Sequence, residues 1–422
     1  MSAKMREDAR FIMESAIRDN MPREAVQKAL RDRAAKGDGA FAGAVYVVAI
    51  GKAAWTMARA AADFLGGKIA KGVVITKYAH SRGEIPGMEV FEAGHPVPDE
   101  NSVKATLRAI ALAESLKEGD ELLFLVSGGG SALFEAPAEG VSLEDIAAVT
   151  SRLLASGADI MEINAIRKRM SRVKAGRFAE ICAPANVFCV ALSDVPGDRL
   201  DVIASGPAAP DPTTSAQALA IAEKHGLRLS AAQKNLLARE TPKTADNVET
   251  VVSGGARSLC EAASRAAKSL GYEPFALTTV LNCEAAEAGR FLACVATDVQ
   301  SGAGSFKKPC AVLASGETVV RVKGDGKGGR NQELALAAAK GIAGLENTLV
   351  FSLGSDGTDG PTDAAGGIVD GATAGRLRER GLDVDEALSR NDSYHALLAV
   401  DGLIFTGPTG TNVNDVSVVL CR

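Results

Sequence analysis

The sequence is poor in aromatic residues and has no long uncharged apolar segment. Aromatic side chains make up 4% of its 422 residues, so the interior must be built mostly from alanine, valine, leucine and isoleucine, as in layered α/β proteins. No uncharged apolar run reaches the ~18 residues that a membrane-spanning helix needs. The N-terminus begins with charged residues and has a helical rather than a signal-peptide pattern. We therefore expect a cytoplasmic protein that is neither exported nor embedded in a membrane.

Paired cysteine and histidine motifs are also missing. The seven cysteines are scattered without a C-x-x-C pair, which is typical of buried apolar thiols in a reducing compartment. The four histidines show no H-x-x-x-H or H-E-x-x-H spacing, which argues against a protein zinc site. The formal net charge of -5 argues against a nucleic-acid binder. The expected partners are small molecules rather than nucleic acid or membrane, and a homo-oligomer is left open.

Apolar runs and amphipathic stretches alternate along the chain. The run at residues 44–50 is continuous and apolar, as in strands that are buried on both faces of a parallel sheet. Similar runs at residues 72–76, 121–126 and 187–192 alternate with helical patterns, which predicts an α/β fold with a doubly wound sheet. A polar segment at residues 240–247 marks a boundary. It predicts two domains, residues 1–240 and 241–422.

The segment at residues 323–333 interleaves glycines with cations just before a helical pattern at residues 334–339. Glycines let backbone N–H groups approach phosphate oxygens, and the start of the helix adds a positive dipole end. Apolar residues 311–314 and the alternating residues 318–322 are predicted to be strands, which places the loop in a strand–loop–helix setting. A solvated turn is the alternative. We predict that this segment binds a nucleotide through Lys323, Gly326, Gly328 and Gly329, with Arg330 as a further cation.

The same segment matches G-x-G-x-x-G at Gly324, Gly326 and Gly329, which is the pattern of a dinucleotide-binding dehydrogenase. In such a site an acidic residue about twenty positions further on binds the ribose. That position falls near Leu349, where no acid stands. The dehydrogenase interpretation is therefore the weaker one.

Two further segments follow predicted strands. Lys52 stands at the start of a helical pattern, where a cation is misplaced unless an anion joins it. The second segment is a glycine-rich turn that resembles an anion-binding nest, although it also suits a tight turn between two elements. Ser131 does not fit the G-x-S-x-G pattern of a nucleophilic serine. The predicted nest consists of Ser127, Gly128, Gly129, Gly130 and Ser131.

Acidic and basic residues supply further candidates. Asp194 and Asp356 each come shortly after a predicted strand, where one or two carboxylates with water can hold Mg²⁺ against phosphate oxygens. Turn and cap positions are the alternative for both. His95 lies in a turn cluster that suggests a ligand-facing loop. In the basic run at residues 167–177, which would usually be a solvated face, Arg167 and Lys174 are predicted to turn inward toward an anionic substrate.

With these motifs in order, the chain resembles the glycerate 2-kinase family of the MOFRL type over nearly its full length. The resemblance implies a Rossmann-like N-terminal domain, a C-terminal α/β domain and an active site in the cleft between them. It also implies ATP- and Mg²⁺-dependent phosphorylation of D-glycerate to 2-phosphoglycerate. The matching segments are GKAA (51–54), GHPVPD (94–99), SGGGSAL (127–133), INAIRK (163–168), SDVPGD (193–198), SGP (205–207), GGRNQE (328–333), GTDG (357–360) and TGTNVND (409–415).

Within that resemblance we assign catalytic roles to three residues. Lys52 is expected to stabilise transferring or substrate oxygens, and Arg330 to neutralise charge on the γ-phosphoryl group. Asp194 is expected either to bind Mg²⁺ or to accept the hydroxyl proton. Some relatives carry the name hydroxypyruvate reductase, so an NAD(P)-dependent reductase is the alternative enzyme. A sensor of phosphorylated metabolites is the non-enzymatic alternative.

The chain departs from the family pattern at two positions. Relatives usually have glycine at the position of Ala175, whose methyl group disfavours positive φ and leaves the backbone contact there open. They tend to have histidine at the position of Arg169, where the added charge is expected to alter substrate preference. The residues alone do not decide which hydroxyl is phosphorylated.

Overall fold

The structure, a computed structural model, describes residues 2–37 and 39–422. Within these residues the chain forms twelve strands and sixteen α-helices. The strands are β1 (Val45–Ile50), β2 (Ile69–Lys77), β3 (Met88–Ala93), β4 (Glu121–Val126), β5 (Asn186–Leu192), β6 (Val248–Gly254), β7 (Glu273–Leu281), β8 (Cys310–Gly316), β9 (Thr348–Gly354), β10 (Gly366–Asp370), β11 (Leu403–Ile404) and β12 (Asp415–Cys421).

The sixteen helices all lie between the N-terminus and strand β11. They are α1 (Ser2–Asp19), α2 (Pro22–Ala35), α3 (Ala54–Leu65), α4 (Glu100–Glu114), α5 (Gly130–Leu133), α6 (Leu143–Ala155), α7 (Ile160–Arg167), α8 (Arg177–Cys182), α9 (Ser215–Lys224), α10 (Ala231–Ala238), α11 (Ala256–Ser269), α12 (Ala285–Ser301), α13 (Arg330–Gly341), α14 (Thr373–Glu379), α15 (Val384–Ser389) and α16 (Ser393–Leu398). No helix of the described chain is both long and apolar enough to cross a bilayer.

Capping residues fix where many of these helices begin. In a capping box, the side chain before the helix accepts an N–H from its third residue, whose own side chain reaches back. Substituting such a cap by alanine costs about 1 kcal/mol. Five helices begin this way, at Asp99 (α4), Ser142 (α6), Asp159 (α7), Thr214 (α9) and Ser230 (α10).

The chain divides into two compact units. The N-terminal unit contains Pro22–Leu192 and Arg199–Ser253, and the C-terminal unit contains Gly254–Arg422 together with α1 and Ser193–Asp198. The boundaries of these two units therefore differ from the predicted single boundary after residue 240. Strand β6 adds to the N-terminal sheet, while α1 buries its apolar side against α11 and the strands of the C-terminal unit.

The N-terminal sheet has the strand order β3-β2-β1-β4-β5-β6. All pairings among β1 to β5 are parallel. Helices α2 and α3 pack on one face of this sheet, whereas α4 contacts β2 and β3 and also α8. This order is that of the doubly wound Rossmann fold, so the prediction of a Rossmann-like N-terminal domain is confirmed.

The C-terminal sheet has the order β11-β10-β9-β12-β8-β7. Only β7 and β8 pair in parallel, and the other four pairings are antiparallel. On β12, Val416, Val418 and Leu420 face α1 and α11, while Val419 and Cys421 face α12 and α13. A sheet covered by helices on both faces confirms the second α/β domain.

The predicted strand at residues 318–322 does not form. Val319 makes only an isolated bridge to Glu284, and the side chains of Val319 and Val322 are 55% and 76% exposed. The alternation that suggested a strand is therefore not used to bury an apolar face. Instead, the segment hydrogen-bonds to the connection after β7, where Val319 N–H donates to Cys283 O at 3.0 Å.

Candidate active site

The ends of β1 and β4 mark the switch point of the N-terminal sheet, where the strand order reverses and open α/β sheets bind their ligands. Gly51 follows β1 with φ +109°, and a Cβ there would lie 2.3 Å from Ser127 Oγ, so glycine is required. Ser127 Oγ accepts the N–H of Ala53 at 3.1 Å. The N–H of Lys52 donates to Gly128 O at 2.9 Å. These bonds place Lys52 directly at the ligand crevice of this sheet.

The glycine-rich turn after β4 brings two predicted site residues, His95 and Lys52, close together. Gly129 has φ +86°, and a Cβ on it would lie 2.9 Å from the His95 ring and 3.2 Å from Lys52 Cγ. A Cβ on Gly130 would lie 2.7 Å from the Cβ of Ala204. The glycines therefore allow His95, Lys52 and the 203–205 turn to crowd around one loop.

Lys174 lies beneath this loop. Its side chain is fully buried, and its Nζ donates to the carbonyl oxygens of Ser131 and Phe134 at 2.8 and 2.9 Å. The carboxylate of Glu135 lies 2.8 Å from Nζ. Burial lowers the pKa of Lys174, and Glu135 opposes that shift. Since its three N–H donors are all engaged, Lys174 supports the loop and does not bind substrate directly.

Arg167 lies beside the same loop. Its Nη2 donates to Asn164 Oδ1 at 2.9 Å and to Ser205 Oγ at 3.3 Å. Ser205 Oγ in turn lies 2.8 Å from Ser131 Oγ. Burial lowers the pKa of Arg167, and the charge of Glu135 opposes that shift. The structure thus connects Arg167 to the predicted nest through two hydroxyls.

The two departures from the family pattern have structural explanations. Arg169 is fully buried and bonded to Asp211 at 3.4 Å and to Thr213 Oγ1 at 2.9 Å. Its charge is neutralised inside the protein, so the expected effect on substrate preference loses its basis. Ala175 adopts φ +57° despite its methyl group. Its N–H donates to Ser205 O at 3.1 Å, so the backbone contact persists.

In the C-terminal unit, an acidic cluster forms where β8 and β9 end and β12 begins. Asp415 pairs with Gly316 and Gly354 across this edge. Arg330, the first residue of α13, binds the Asp415 carboxylate through Nε and Nη2 at 2.5 and 2.9 Å, and its Nη1 lies 3.2 Å from Glu317. Burial by itself lowers the pKa of Arg330, but the hydrogen bonds and charge of Asp415 outweigh burial and raise it. The guanidinium is thus held on two sides.

Asp194 belongs to this acidic cluster. Asn414 Nδ2 donates to Asp194 O at 3.0 Å and to Glu317 Oε2 at 3.4 Å. Burial raises the pKa of Glu317; Arg330 opposes this, and the charges of Asp415 and Asp194 add to it. Within the described residues, Asn414 Oδ1 is buried without a hydrogen-bond partner, and no hydrogen bond or ion pair involves the Asp194 carboxylate. An oxygen-rich cluster with two such acceptors favours a cation.

Asp356, the other predicted metal ligand, follows β9. Its Oδ1 accepts the N–H and the hydroxyl of Thr358 at 2.9 and 3.2 Å, as in an Asx turn. Burial raises the pKa of Asp415, and Arg330 opposes this shift. The negative charge of Asp356 adds to the upward shift. Over the described chain, no group of three or more His, Cys, Asp or Glu side chains is arranged to hold a metal ion.

The segment at residues 323–329 differs from its predicted role. The N–H groups of Lys323 and Gly324 donate to Asn391 Oδ1 at 2.7 and 3.0 Å. Gly326 N–H donates to Arg390 O at 2.8 Å, and Lys327 N–H to Asp392 Oδ1 at 3.0 Å. These amides are already satisfied, so Gly326 N–H is not available to a nucleotide and has a structural role instead. Nucleotide binding by the charge of the Lys323 side chain stays a prediction.

The start of α13 is occupied as well. Asp359 accepts the N–H groups of Asn331 and Gln332 at 3.2 and 2.9 Å. Burial raises the pKa of Asp359 to about 6, although these N–H groups oppose the shift. A Cβ on Gly329 would lie 2.3 Å from the Asp359 carboxyl carbon. The Asp359 carboxylate therefore occupies the start of α13, where a pyrophosphate would bind. Among the described residues of this segment, the N–H groups of Asp325, Gly328, Gly329 and Arg330 donate no hydrogen bond.

Several residues of both clusters were not singled out from the sequence. They are Asn164, Ser205, Glu317, Asp359, Asn414 and Asp415. All of them except Glu317 stand inside segments that carry the family resemblance, which was a usable signal. Asp415 is the first residue of its strand, so a search for acids after strands missed it. Glu317 directly follows β8 and was accessible to that search.

Comparisons with known proteins agree with these features. The pattern of a domain of unknown function, DUF4147, matches residues 8–239, and that of the MOFRL family matches residues 310–415. A Thermotoga maritima protein named D-glycerate 2-kinase is 56% identical over 376 residues, which cover 89% of this chain and 90% of the relative. The chain belongs to the glycerate 2-kinase family of the MOFRL type.

Other relatives of this family are consistent with that assignment. A glycerate 2-kinase of Pyrococcus horikoshii is 43% identical and covers 90% of this chain and 87% of its own length. A crystal structure described as glycerate kinase from Thermotoga maritima superimposes with a TM-score of 0.94 at 51% identity, with both chains fully covered. Relatives at lower identity carry a provisional hydroxypyruvate reductase name.

Proposed function

We propose that this chain transfers the γ-phosphoryl group of ATP to D-glycerate and forms 2-phosphoglycerate. The observation that carries this proposal is the position of Lys52 at the switch point, locked by Gly51 and Ser127. Phosphoryl transfer demands positioning and charge stabilisation rather than covalent chemistry by the protein. The names of the relatives from Thermotoga maritima and Pyrococcus horikoshii supply the same activity and acceptor.

The proposed roles follow from charge and accessibility. Lys52 stabilises oxygens of the transferring group, and the loop of residues 127–131 binds further oxygens through the N–H groups of Gly128, Gly129 and Ser131. The N–H and hydroxyl of Ser127 donate to Ile50 O, and Gly130 N–H donates to Ser127 O. Arg330 neutralises charge on the γ-phosphoryl group, for which a phosphate oxygen would displace Glu317 from Nη1. Asp194 accepts the hydroxyl proton or binds metal, because its carboxylate makes no hydrogen bond or ion pair within the described part of the chain.

The C-terminal acidic cluster suits Mg²⁺ when phosphate oxygens and water complete its coordination. Mg²⁺ is commonly held by one or two carboxylates together with substrate phosphates. Asp194, Asn414 Oδ1 and Glu317 are the oxygen donors we assign to it, and Asp356 adds negative potential. When bound, the ion would neutralise charge on the nucleotide phosphates.

The reductase alternative is disfavoured by the loop that matches G-x-G-x-x-G. Its Gly326 N–H is bonded to Arg390 O, and the start of α13 is capped by Asp359. The turn after β1 also lacks that glycine pattern, since it reads Gly51-Lys-Ala-Ala54.

One assay separates the two activities. The purified chain is incubated with D-glycerate and Mg²⁺, first with ATP and then with NAD⁺ or NADP⁺. We expect 2-phosphoglycerate and ADP in stoichiometric amounts, and no reduced nicotinamide. Reduction of the nicotinamide without ATP consumption would refute the proposed function.

A further inference from the structure

The basic run at residues 167–177 contains one cation that differs from the others. The buried and half-buried members have ionic or carbonyl acceptors, namely Lys168 and Arg169 with Asp211, Lys174 with Glu135, and Arg177 with the carbonyls of Lys168 and Ser171. Arg167 has no carboxylate within ion-pair distance among the described residues. Its Nη2 contacts only the neutral Asn164 and Ser205, and its Nε is buried without a hydrogen bond.

An unpaired guanidinium in this environment is unfavourable by itself. Burial removes water from the charge, and nothing at contact distance replaces the missing anion. The direction of the pKa shift of Arg167, downward because of burial, reflects the same deficit. Since Nη1 also donates no hydrogen bond to any residue that the structure describes, the guanidinium retains donors for a ligand.

The hydroxyl beside Arg167 is held in a strained backbone. Ala204, Ser205 and Gly206 have consecutive φ values of +51°, +65° and +65°. Such conformations cost free energy for non-glycine residues and occur mainly at functional positions. The N–H of Ala175 binds Ser205 O at 3.1 Å, and that of Gly176 binds Gly206 O at 2.7 Å. These bonds keep Ser205 Oγ within reach of both Arg167 and Ser131.

We propose that Arg167, with the hydroxyls of Ser205 and Ser131, binds the carboxylate of the acceptor substrate. This inference rests on the proposed kinase function and specifies how its site selects a hydroxy acid over a neutral polyol. A single cation beside two hydroxyls matches a monoanion, and arginine is well suited to carboxylates. Asn164 is a positioning residue, because its Oδ1 accepts from Nη2 and orients the guanidinium.

The experiment compares Arg167→Gln and Arg167→Lys with Arg172→Gln. Arg172 is exposed and lies in the same basic run, so its substitution controls for the loss of one surface charge. For each full-length variant, kcat and KM are measured for D-glycerate at saturating ATP, and for ATP at saturating D-glycerate. The shift in unfolding temperature on adding D-glycerate without nucleotide is a second readout.

For Arg167→Gln we expect kcat/KM for D-glycerate to fall about 10²–10³-fold, as when one partner of a buried charge pair is removed. The KM for ATP should stay within about threefold, and the D-glycerate-induced shift in unfolding temperature should disappear. Arg167→Lys should recover at least about tenfold of the loss, because it restores the charge but not the planar donors. Arg172→Gln should behave as wild type.

Two results would overturn the inference. If the KM for D-glycerate is unchanged in Arg167→Gln, Arg167 does not bind the substrate carboxylate. If only the KM for ATP rises, Arg167 binds a phosphate instead. If the wild type does not phosphorylate D-glycerate, the proposed function itself fails. The thermal shift then decides, since equal shifts in wild type and Arg167→Gln would also exclude the carboxylate site. If Arg167→Gln fails to fold, Arg167→Lys is judged by the same criteria.

Discussion

Two glycine-rich loops resemble each other in sequence and differ in structure. In the loop of residues 127–131, glycines bring Lys52 and His95 close to a turn at the strand switch point. In the loop of residues 323–329, glycines let the backbone pack against residues 390–393, where a Cβ on Gly324 would lie 2.4 Å from Arg390 Cα. We propose that the first loop presents Lys52 to a ligand, whereas the second loop packs against other residues of its own chain.

The two loops also differ in whether the polar and charged groups beside them have partners within the fold. Beside the first loop, Arg167 has no carboxylate within ion-pair distance among the described residues. Next to the second loop, Asn391, Asp392 and Asp359 satisfy the amides and the start of α13. A glycine-rich cationic segment thus indicates a phosphate site only when its donors are not already used inside the fold.

The largest effect on stability is expected for Lys174→Met, which tests whether the first loop depends on the buried charge beneath it. Glu135 would remain buried without its partner, and such a loss costs about 3–5 kcal/mol. Chemical denaturation measures the change in free energy of unfolding. The double variant Lys174→Met/Glu135→Leu is the control and should recover most of the loss. An equally unstable double variant would show that the ion pair is not the support.

A smaller effect is expected for alanine at one glycine of each loop. Gly326→Ala would place a Cβ 2.5 Å from Asp392 Cβ and 2.6 Å from Arg390 O, so we expect a loss of about 2 kcal/mol in stability. The folded fraction should retain its kcat/KM. Gly129→Ala would press on His95 and Lys52 and should lower kcat/KM at least about tenfold. Steady-state kinetics at a temperature where both variants are folded separates the loops, and the reverse pattern would contradict the comparison.

The smallest effect is expected for Ala175→Gly, which probes the turn that holds Ser205. Ala175 is in the left-handed region, which costs about 1–2 kcal/mol for a non-glycine residue, and the flexibility of glycine in the unfolded chain offsets part of the gain. We expect a net stabilisation of about 0.5 kcal/mol, seen as a raised unfolding temperature. Ala179→Gly, within helix α8, is the matched control and should destabilise by about 1 kcal/mol. Destabilisation by both would mean that Ala175 is not strained.

The sequence allowed the N-terminal switch point to be predicted, because parallel strands end at one edge and the residues that follow them meet there. Lys52 and Ser127 were accessible in this way. The C-terminal unit was harder to predict, since β12 runs antiparallel to β8 and β9 and brings Asp415 to this edge as the first residue of its strand.

Long-range contacts account for the remaining differences. Lys323 is bonded to a residue 68 positions later in the chain, and no local pattern reveals such a partner. The same holds for Lys174, whose buried contacts with Ser131 O and Glu135 are invisible in a basic run that also suits a solvated face.

A direct test of the central claim is the kinetics of Lys52→Met beside Lys323→Met under ATP and D-glycerate. Both substitutions remove one lysine charge next to a glycine-rich loop. If the loop of residues 127–131 is the phosphate-binding one, kcat/KM should fall about 10³-fold in Lys52→Met and stay within about threefold of wild type in Lys323→Met. A large loss in Lys323→Met with near-normal Lys52→Met would contradict the account.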